Sequence, residues 1–496
     1  MIAIDLFIIS LNSHILYAQQ SKESKPVLRW AADSESGAPY AFLNPKDPDQ
    51  IIGFEKDVIT LLSIYTGQTT KFVQNAWDGL IPGLERNEYD IAINGIEITD
   101  ERKKVVDFSI PYYATQLQLV VRTGETRFQT LQDLKGFKVG TLGGALTEKI
   151  LRSEEGIEIL TYESETAAHQ DLLLGRSDAI FFDAPIAKYY SSVDSRFTII
   201  NENVASAVYG IAISKTNKQM LTSINHALKS AIESGELKEV YERWGLWNTA
   251  TAQLFNDPSP SRLAPIHFET YLNSIQKSRS FIEKVSIYSK SWPLLLNAAK
   301  TTIIVSALSM LVAIAGGLCL VFLRLKGGLL ASWFVTLFVE FIRGTPLLIQ
   351  LFFIFYALPS FGIELSPLVA AVAGLGLNYA VQESEIYRSG LLSVHRNQVE
   401  AGVILGLSPL QIFSNIQMPQ AMRVVLPPMT TDFIALIKDS SLVSVITMVE
   451  ITKAYSMLAA TYYDYVGFAI IAAVLYILIG MPLVIVSRHL EKRAAH

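Results

Sequence analysis

Few side chains in this 496-residue chain have the spacing that covalent chemistry needs. There is no GxxxxGKS/T loop to cradle a nucleotide, no HExxH to bind zinc and no GxSxG to present a serine nucleophile. One cysteine, Cys319, excludes a disulfide framework and any multi-cysteine zinc or iron–sulfur centre. Non-covalent recognition remains. Gly143 and Gly144 stand between the strand-like KVGTL and a helix opening near Ala145, so backbone N–H groups at that helix start could receive an anion. A tight turn accounts for the two glycines equally well. In the apolar half, Glu340 and Arg343 at i,i+3 spacing, and Lys438 beside nearby carboxylates, read as structural charge pairs of a helix bundle.

The elements that would position such groups divide the chain in two. Hydrophobic residues make up 50% and charged residues 18%, and a net charge of -5 gives no reason to expect nucleic acid. The long uncharged runs lie almost wholly after residue 290. Residues Thr301 to Leu323 carry no formal charge over 23 positions, more than enough to cross a bilayer core of roughly 30 Å. Further runs cover 344–363, 365–381 and 466–487, and a weaker one, 424–446, contains Asp432, Lys438 and Asp439. Five spans are expected.

Lysine and arginine in the short connections set the orientation. Arg324 and Lys326, then Arg388, Arg396 and Arg423, then Arg488, Lys492 and Arg493 belong on the cytoplasmic side. The connections 359–366 and 450–464 hold only Lys453 and should face outward, which places everything before residue 290 outside. The mostly apolar residues 2–18, ending at Ala18, resemble a secretory signal or an uncleaved anchor, assigned to 1–20.

Between residues 27 and 247, short β-rich runs alternate with helical stretches, the pattern of an α/β domain. GFEKDVITLLSIYTG reads as an amphipathic helix ending at Gly67, and KFVQNA, YDIAING and DAIFFD read as strands. The phrases GFEKDVI, WDGLIPGL, YDIAINGIEITDERKKVVDFSIPYY, LKGFKVGTLGG, DAIFFDAPIAKYY and ELKEVYERWG, in this order, resemble the polar amino-acid branch of periplasmic solute-binding proteins. The resemblance implies two lobes, joined by crossings near 119–122 and 209–213, that close on an amino acid.

It also implies roles for particular residues. Arg102, at the end of Ile98-Thr99-Asp100-Glu101-Arg102, would grip the ligand carboxylate through its planar fork. Gly144 and Ala145 stand where the family has threonine, which leaves their backbone donors. Asp183 would take the ammonium group; its alternative role is to cap the helix after Pro185. Tyr40 and Trp77 would wall the apolar stem, Gly95 would approach through its backbone, and Asp33 would read the substrate side chain. Glu97 replaces the usual serine or threonine. With Asp33, Glu35 and Glu97 all able to face the cleft, neutral polar or cationic substrates are expected rather than acidic ones.

After the third apolar run, EAGVILG and, nine residues later, NIQMPQ resemble the EAA loop of importer-type ABC permeases. Glu400, Ala401, Gly402, Gly406 and Pro419 carry that match and imply a short helix that fits a groove on a separate ATPase. FIRGTPLLIQLFFIFYALP, QESEIYRSGLLSVHRNQVEAG and KDSSLVS resemble the amino-acid permease branch.

The expected architecture is therefore a two-lobed α/β binding-protein fold of type II over 26–248, followed by an all-α polytopic permease of the type I importer class over 291–490. Residues 249–290 would form a linker and an interfacial helix, with Phe281, Val285, Tyr288 and Trp292 at helical spacing. Such a chain would capture a polar amino acid outside a bacterial inner membrane and pass it through a homodimeric permease. It would need no cofactor of its own, ATP being used by a separate ATPase subunit. The alternatives are a membrane-anchored amino-acid sensor and a ligand-gated channel.

Overall fold

The computed structural model describes residues 26–35, 37–275 and 280–494, apart from the side chains of 201–204 and 492–494. The leader expected over 1–20 lies outside the described residues.

Two five-stranded sheets form the first half. One runs β4 (Thr69–Gln74), β1 (Val27–Ala32), β5 (Ile91–Ala92), β12 (Ala212–Ser214), β6 (Val106–Phe108), with β12 antiparallel to both neighbours. The other runs β11 (Phe197–Tyr209), β7 (Tyr113–Arg122), β10 (Ala179–Asp183), β8 (Lys138–Leu142), β9 (Glu158–Tyr162). In that sheet β8 is parallel to both neighbours, as alternation with helices requires, while β7 is antiparallel to β10 and β11. A small hairpin, β2 (Phe42–Asn44) with β3 (Asp47–Ile52), projects separately. The helix read from GFEKDVITLLSIYTG spans Phe54–Thr66 and stops at Gly67, whose φ of 69° is the left-handed cap that glycine supplies most cheaply.

The chain passes twice between the lobes. Ser109 N–H donates to the Ile211 carbonyl at 2.9 Å, and Ile211 N–H donates to Ser109 Oγ at 3.0 Å, so the two crossings run side by side. The second lies within the expected 209–213. The first lies at 109–112, ahead of the expected 119–122, because QLQLVVR is spent inside β7 as an apolar central strand, buried at Leu117, Leu119, Val120 and Val121.

Residues 249–275 are not a free linker. Asn248 caps a Thr249–Leu254 helix, accepting from Thr251 N–H at 2.8 Å, and Thr251 Oγ1 donates to the Ala114 carbonyl. A second helix, Ile266–Ile275, buries Tyr271 against Phe42 and Tyr189. Polar residues that read as solvated instead satisfy caps and strand carbonyls. The expected interfacial helix is simply the start of the 46-residue Phe281–Lys326 helix, about 69 Å long at 1.5 Å per residue.

By length and composition, two described helices are suited to cross a membrane, Phe281–Lys326 and Tyr465–Glu491, or three if a broken pair counts as one span. The run 344–363, expected as one span, is part of that broken pair: Gly328–Gly344 meets Leu347–Phe361 at a bend of 104°. Pro346 causes it, having no N–H to donate and pushing Thr345 into an extended conformation. Gln350 Nε2 heals the break by donating to the Ile342 and Thr345 carbonyls at 2.8 and 3.1 Å. Expected spans three and four fall in the Pro367–Leu392 and Met418–Asp439 helices, long enough but too polar on composition alone, with Gln382 and Glu383 in one and Arg423 and Asp432 in the other.

Glycines let the first long helix approach Pro367–Leu392 closely. A Cβ added at Gly376 would lie 2.7 Å from Val312 Cγ1, and one at Gly317 would lie 2.8 Å from Glu383 Cβ. Among the described residues, Glu340 and Arg343 form no ion pair with each other, and Lys438 pairs with no carboxylate; Glu385 instead pairs with both Arg324 and Arg388.

The two halves touch directly. Leu43 and Ile51 of the β2–β3 hairpin join Leu295, Ala298, Ile451, Leu458 and Tyr462 in one apolar cluster. Tyr462 donates to the Pro45 carbonyl at 3.0 Å, and the Arg86 guanidinium lies 4.1 Å from the Phe355 ring centre.

Candidate functional site

The cleft between the lobes is built where strands of both sheets end. Asp183 closes β10, Ala145 and Leu146 open a helix after β8, Asp33 follows β1, and Gly95 and Glu97 follow β5. Tyr40, Trp77, Gly95, Glu97, Ala145 and Asp183 line one small cavity of ≈ 20 Å³, about the room of a single water. Arg102 and Gly144 adjoin it, Arg102 Nη2 donating to the Gly144 carbonyl at 3.0 Å with its guanidinium 5.4 Å from the Trp77 ring centre. Asp33 opens instead on a larger chamber of ≈ 290 Å³ that Trp77 and Gly144 also line. All nine residues expected to hold the substrate thus come together across the cleft.

Arg102 does not stand free. Its Nη1 donates to Glu97 Oε2 at 2.5 Å and to the Glu97 carbonyl at 2.9 Å, while Leu146 N–H donates to Glu97 Oε1 at 3.0 Å. One carboxylate therefore bridges the Arg102 guanidinium, expected to receive a ligand carboxylate, and the Leu146 N–H at the helix start, one residue past the expected backbone donors Gly144 and Ala145. Gly144 N–H is taken by Glu148 Oε2 at 2.7 Å, and Ala145 N–H by the Leu142 carbonyl. The left-handed φ of 74° at Gly144 serves the turn.

Asp183 does not cap the helix that follows it; among the described residues its side chain makes no bond to that helix start. Asp183 Oδ2 instead accepts from the Tyr209 hydroxyl, with the Tyr40 hydroxyl at 3.5 Å. Burial, then the charge of Glu97, pushes its carboxyl up to about 8, against the pull of the two tyrosines and Arg102. Asp33 spends its oxygens on neutral donors: Gln74 Nε2 at 2.8 Å, Glu35 N–H at 3.0 Å and Trp77 N–H at 3.0 Å. Gly95 has φ 62°, and a Cβ there would come within 2.8 Å of Tyr40 Cε1, so only glycine lets the backbone approach this wall.

Four acids in or beneath the cleft escaped the sequence reading, Glu163 among them on the wall of the larger chamber. Glu165 opens the Glu165–Leu173 helix inside the small cavity and is pushed up to about 8 by burial. Its place in the first turn of a helix gives an ordinary dipole explanation and no functional signal. Glu55, likewise pushed up to about 8 by burial, accepts from Gly95 N–H at 2.6 Å and from the Tyr112 hydroxyl, holding the loop under Tyr40. Asp78 lines the larger chamber.

The second site lies far from the cleft in the fold. Glu400, Ala401 and Gly402 sit on the Arg396–Ile404 helix, where Glu400 pairs with Arg396 at 2.8 Å. Gly402 faces inward; an added Cβ would lie 2.9 Å from Ile416 Cδ1 and 3.0 Å from Ile412 Cγ1. Gly406 turns the chain with φ 75°, and Pro419 follows the wider Phe413–Gln417 turn that leads into the Met418–Asp439 helix. The outward face is apolar, with Val403, Ile404, Leu405 and Leu410 all more than 60% exposed. An exposed apolar patch of this kind is a candidate docking surface.

Comparison with known proteins agrees with this division. Residues 28–246 match the bacterial extracellular solute-binding proteins, family 3, and residues 313–496 match the binding-protein-dependent transport system inner membrane component. The probable amino-acid ABC transporter permease protein YckA of Bacillus subtilis is 35% identical over 225 residues, 45% of this chain and 99% of its own length. The glutamine transport system permease protein GlnP of Escherichia coli is 36% identical over 211 residues, 42% of this chain and 96% of its own. The L-cystine-binding protein TcyJ of Escherichia coli is 32% identical over 209 residues, 42% of this chain and 78% of its own. With a family 3 solute-binding domain in front and an inner-membrane permease component behind, the chain belongs to the amino-acid ABC transporter family as a fusion of binding protein and permease.

Proposed function

We propose that this chain is the capturing and pore-forming subunit of an ATP-driven amino-acid importer. The clamshell stands on the extracytoplasmic side of a bacterial inner membrane, and two copies of the permease half form the pore. A separate ATPase docks on Val403, Ile404, Leu405 and Leu410.

One observation carries this reading: cleft and docking patch lie at opposite ends of the same helix. Ser444 and Val445, just past the end of Met418–Asp439, line the chamber at the cleft mouth, whereas the patch precedes its beginning. Those 22 residues span about 33 Å, close to a bilayer core. A motor at one end and a catcher at the other can then act on the same rigid element.

In the cleft, Asp183 takes the substrate ammonium, Arg102 with the helix start at Gly144 and Ala145 takes its carboxylate, and Tyr40 and Trp77 enclose its stem, with Gly95 beneath. Glu97 holds the carboxylate place until the ligand arrives. Glu97 offsets Arg102, and in the larger chamber Asp33, Glu35, Asp78 and Glu163 face the one cation Lys453, a surplus of acids that favours a cationic side chain over an acidic one.

The test is uptake into vesicles that contain the full chain and its ATPase subunit. Uptake of labelled arginine, lysine or glutamine that requires ATP inside supports the importer. Tight binding without uptake overturns it in favour of a sensor.

A further inference from the structure

The chamber of ≈ 290 Å³ is shared by the two halves: Asp33, Glu35 and Asp78 form its clamshell wall, and Ser444, Thr452 and Lys453 its permease wall. Lys453 reaches 418 positions back in sequence to place its Nζ 2.6 Å from Glu35 Oε2 and 3.9 Å from Asp33 Oδ1. Its position is held from behind. Glu450 caps the Ile451–Tyr462 helix by accepting from Thr452 N–H at 2.9 Å and Lys453 N–H at 2.8 Å, and the Tyr476 hydroxyl grips Glu450 at 2.7 Å. The ammonium and both carboxylates are at least four-fifths buried. Burial raises the Glu35 carboxyl above its ordinary range and the Lys453 charge pulls it back, so at neutral pH the acid needs a cation beside it. The other cation at the cleft, Arg102, is already engaged by Glu97.

Resting on the importer reading above, we propose that Lys453 is a permease-borne stand-in for the substrate's cationic side chain. When the clamshell is off the permease, Asp33 and Glu35 hold the positive end of the substrate. Docking inserts Lys453 between them, expels that end into the shared chamber beside Ser444 and Thr452, and so couples docking to release. The exchange is a competition of two side-chain cations for one pair of acids, so it discriminates cationic from neutral cargo.

The test compares binding of labelled arginine and glutamine to the full chain in lipid nanodiscs. Lys453→Met should tighten arginine about tenfold while moving glutamine less than twofold, because only arginine meets the vacated acids. Lys453→Arg should restore the original ratio. Glu35→Gln together with Lys453→Met removes the buried charge imbalance and should abolish the arginine gain, a coupling that a merely structural ion pair would not produce. In vesicles with the ATPase subunit, Lys453→Met should lose most arginine uptake despite tighter binding. An unchanged arginine-to-glutamine ratio in Lys453→Met, or glutamine binding with no arginine binding in any variant, overturns the role of Lys453 while ATP-dependent uptake by the unaltered chain still stands. Loss of uptake in the unaltered chain itself overturns the importer reading instead.

Discussion

Replacing Glu97 with threonine should tighten substrate binding. The Glu97 carboxylate uses Arg102 Nη1 at 2.5 Å and Leu146 N–H at 3.0 Å, and only 3% of its side chain is exposed. Each such charge-assisted bond contributes about 1.5–3 kcal/mol net. A ligand carboxylate that takes the same two donors must first displace Glu97, which then carries its charge into a cleft already holding Asp183 and Glu165. Taking about 2 kcal/mol as that displacement cost, its removal tightens binding on the order of thirtyfold. Threonine is short, uncharged and unable to span both donors. Glu97→Gln, which keeps the reach but loses the charge, should fall between. Titration calorimetry of the full chain in nanodiscs with arginine, lysine and glutamine measures this directly. The unliganded protein should also melt earlier, since Arg102 loses its partner. Unchanged or weaker binding in Glu97→Thr would refute the displacement and make Glu97 a direct ligand of the substrate ammonium.

Arg102→Ala and Asp183→Ala should each remove ligand-induced thermal stabilisation of the full chain; a normal shift in both counts against the cleft assignment. Gly406→Asp places a side chain at φ 75°, at a strain of roughly 1 kcal/mol, and puts a charge beside the apolar patch, so it should leave binding intact and uncouple ATP hydrolysis from uptake; normal uptake would contradict the docking role. Asp183, Glu165 and Glu55 are each pushed up to about 8, chiefly by burial, against about 4 in the unfolded chain, so the folded state holds more protons between those values and their contribution to stability declines as pH rises from about 4 to 8. A substrate ammonium needs Asp183 ionised, so affinity should climb from pH 6 to 8 with proton release, visible as a buffer-dependent binding enthalpy; a flat affinity over that range would remove Asp183 from the ammonium site.

Local signals were legible where chain neighbours decide the outcome. The helix ending at Gly67 follows from apolar spacing and a glycine free to turn left-handed, and the Arg396–Ile404 helix is what the resemblance of EAGVILG to the EAA loop implies. Reading failed where a partner distant in sequence decides. The stretch after Asn248 looks solvated until β7 supplies Ala114 as a partner for Thr251. The run 344–363 is apolar enough to cross a membrane, yet one proline with no N–H bends it by 104° against the preceding helix. Glu97 could be flagged as a departure from serine or threonine, but its bridge from Arg102 to Leu146 needs two loops brought together by the lobe crossings.

The same crossings explain why the cleft can serve as a switch. Eight of the nine expected substrate residues flank the small cavity, and their acids are held by opposite lobes: Glu97 by the first, Asp183 by the second. Closing the lobes drives these carboxylates together at a cost that a bound cation offsets and an empty cleft does not. Glu97 softens that cost by engaging Arg102, and Lys453 does so at the mouth for Asp33 and Glu35 once the clamshell is docked. In the cycle proposed above, closure is tied to whichever cation is present, first the substrate's and then the permease's. Fusion of the two halves would keep that second cation at high local concentration, so that in the proposed cycle the acids need never face each other uncompensated while cargo moves from cleft to pore.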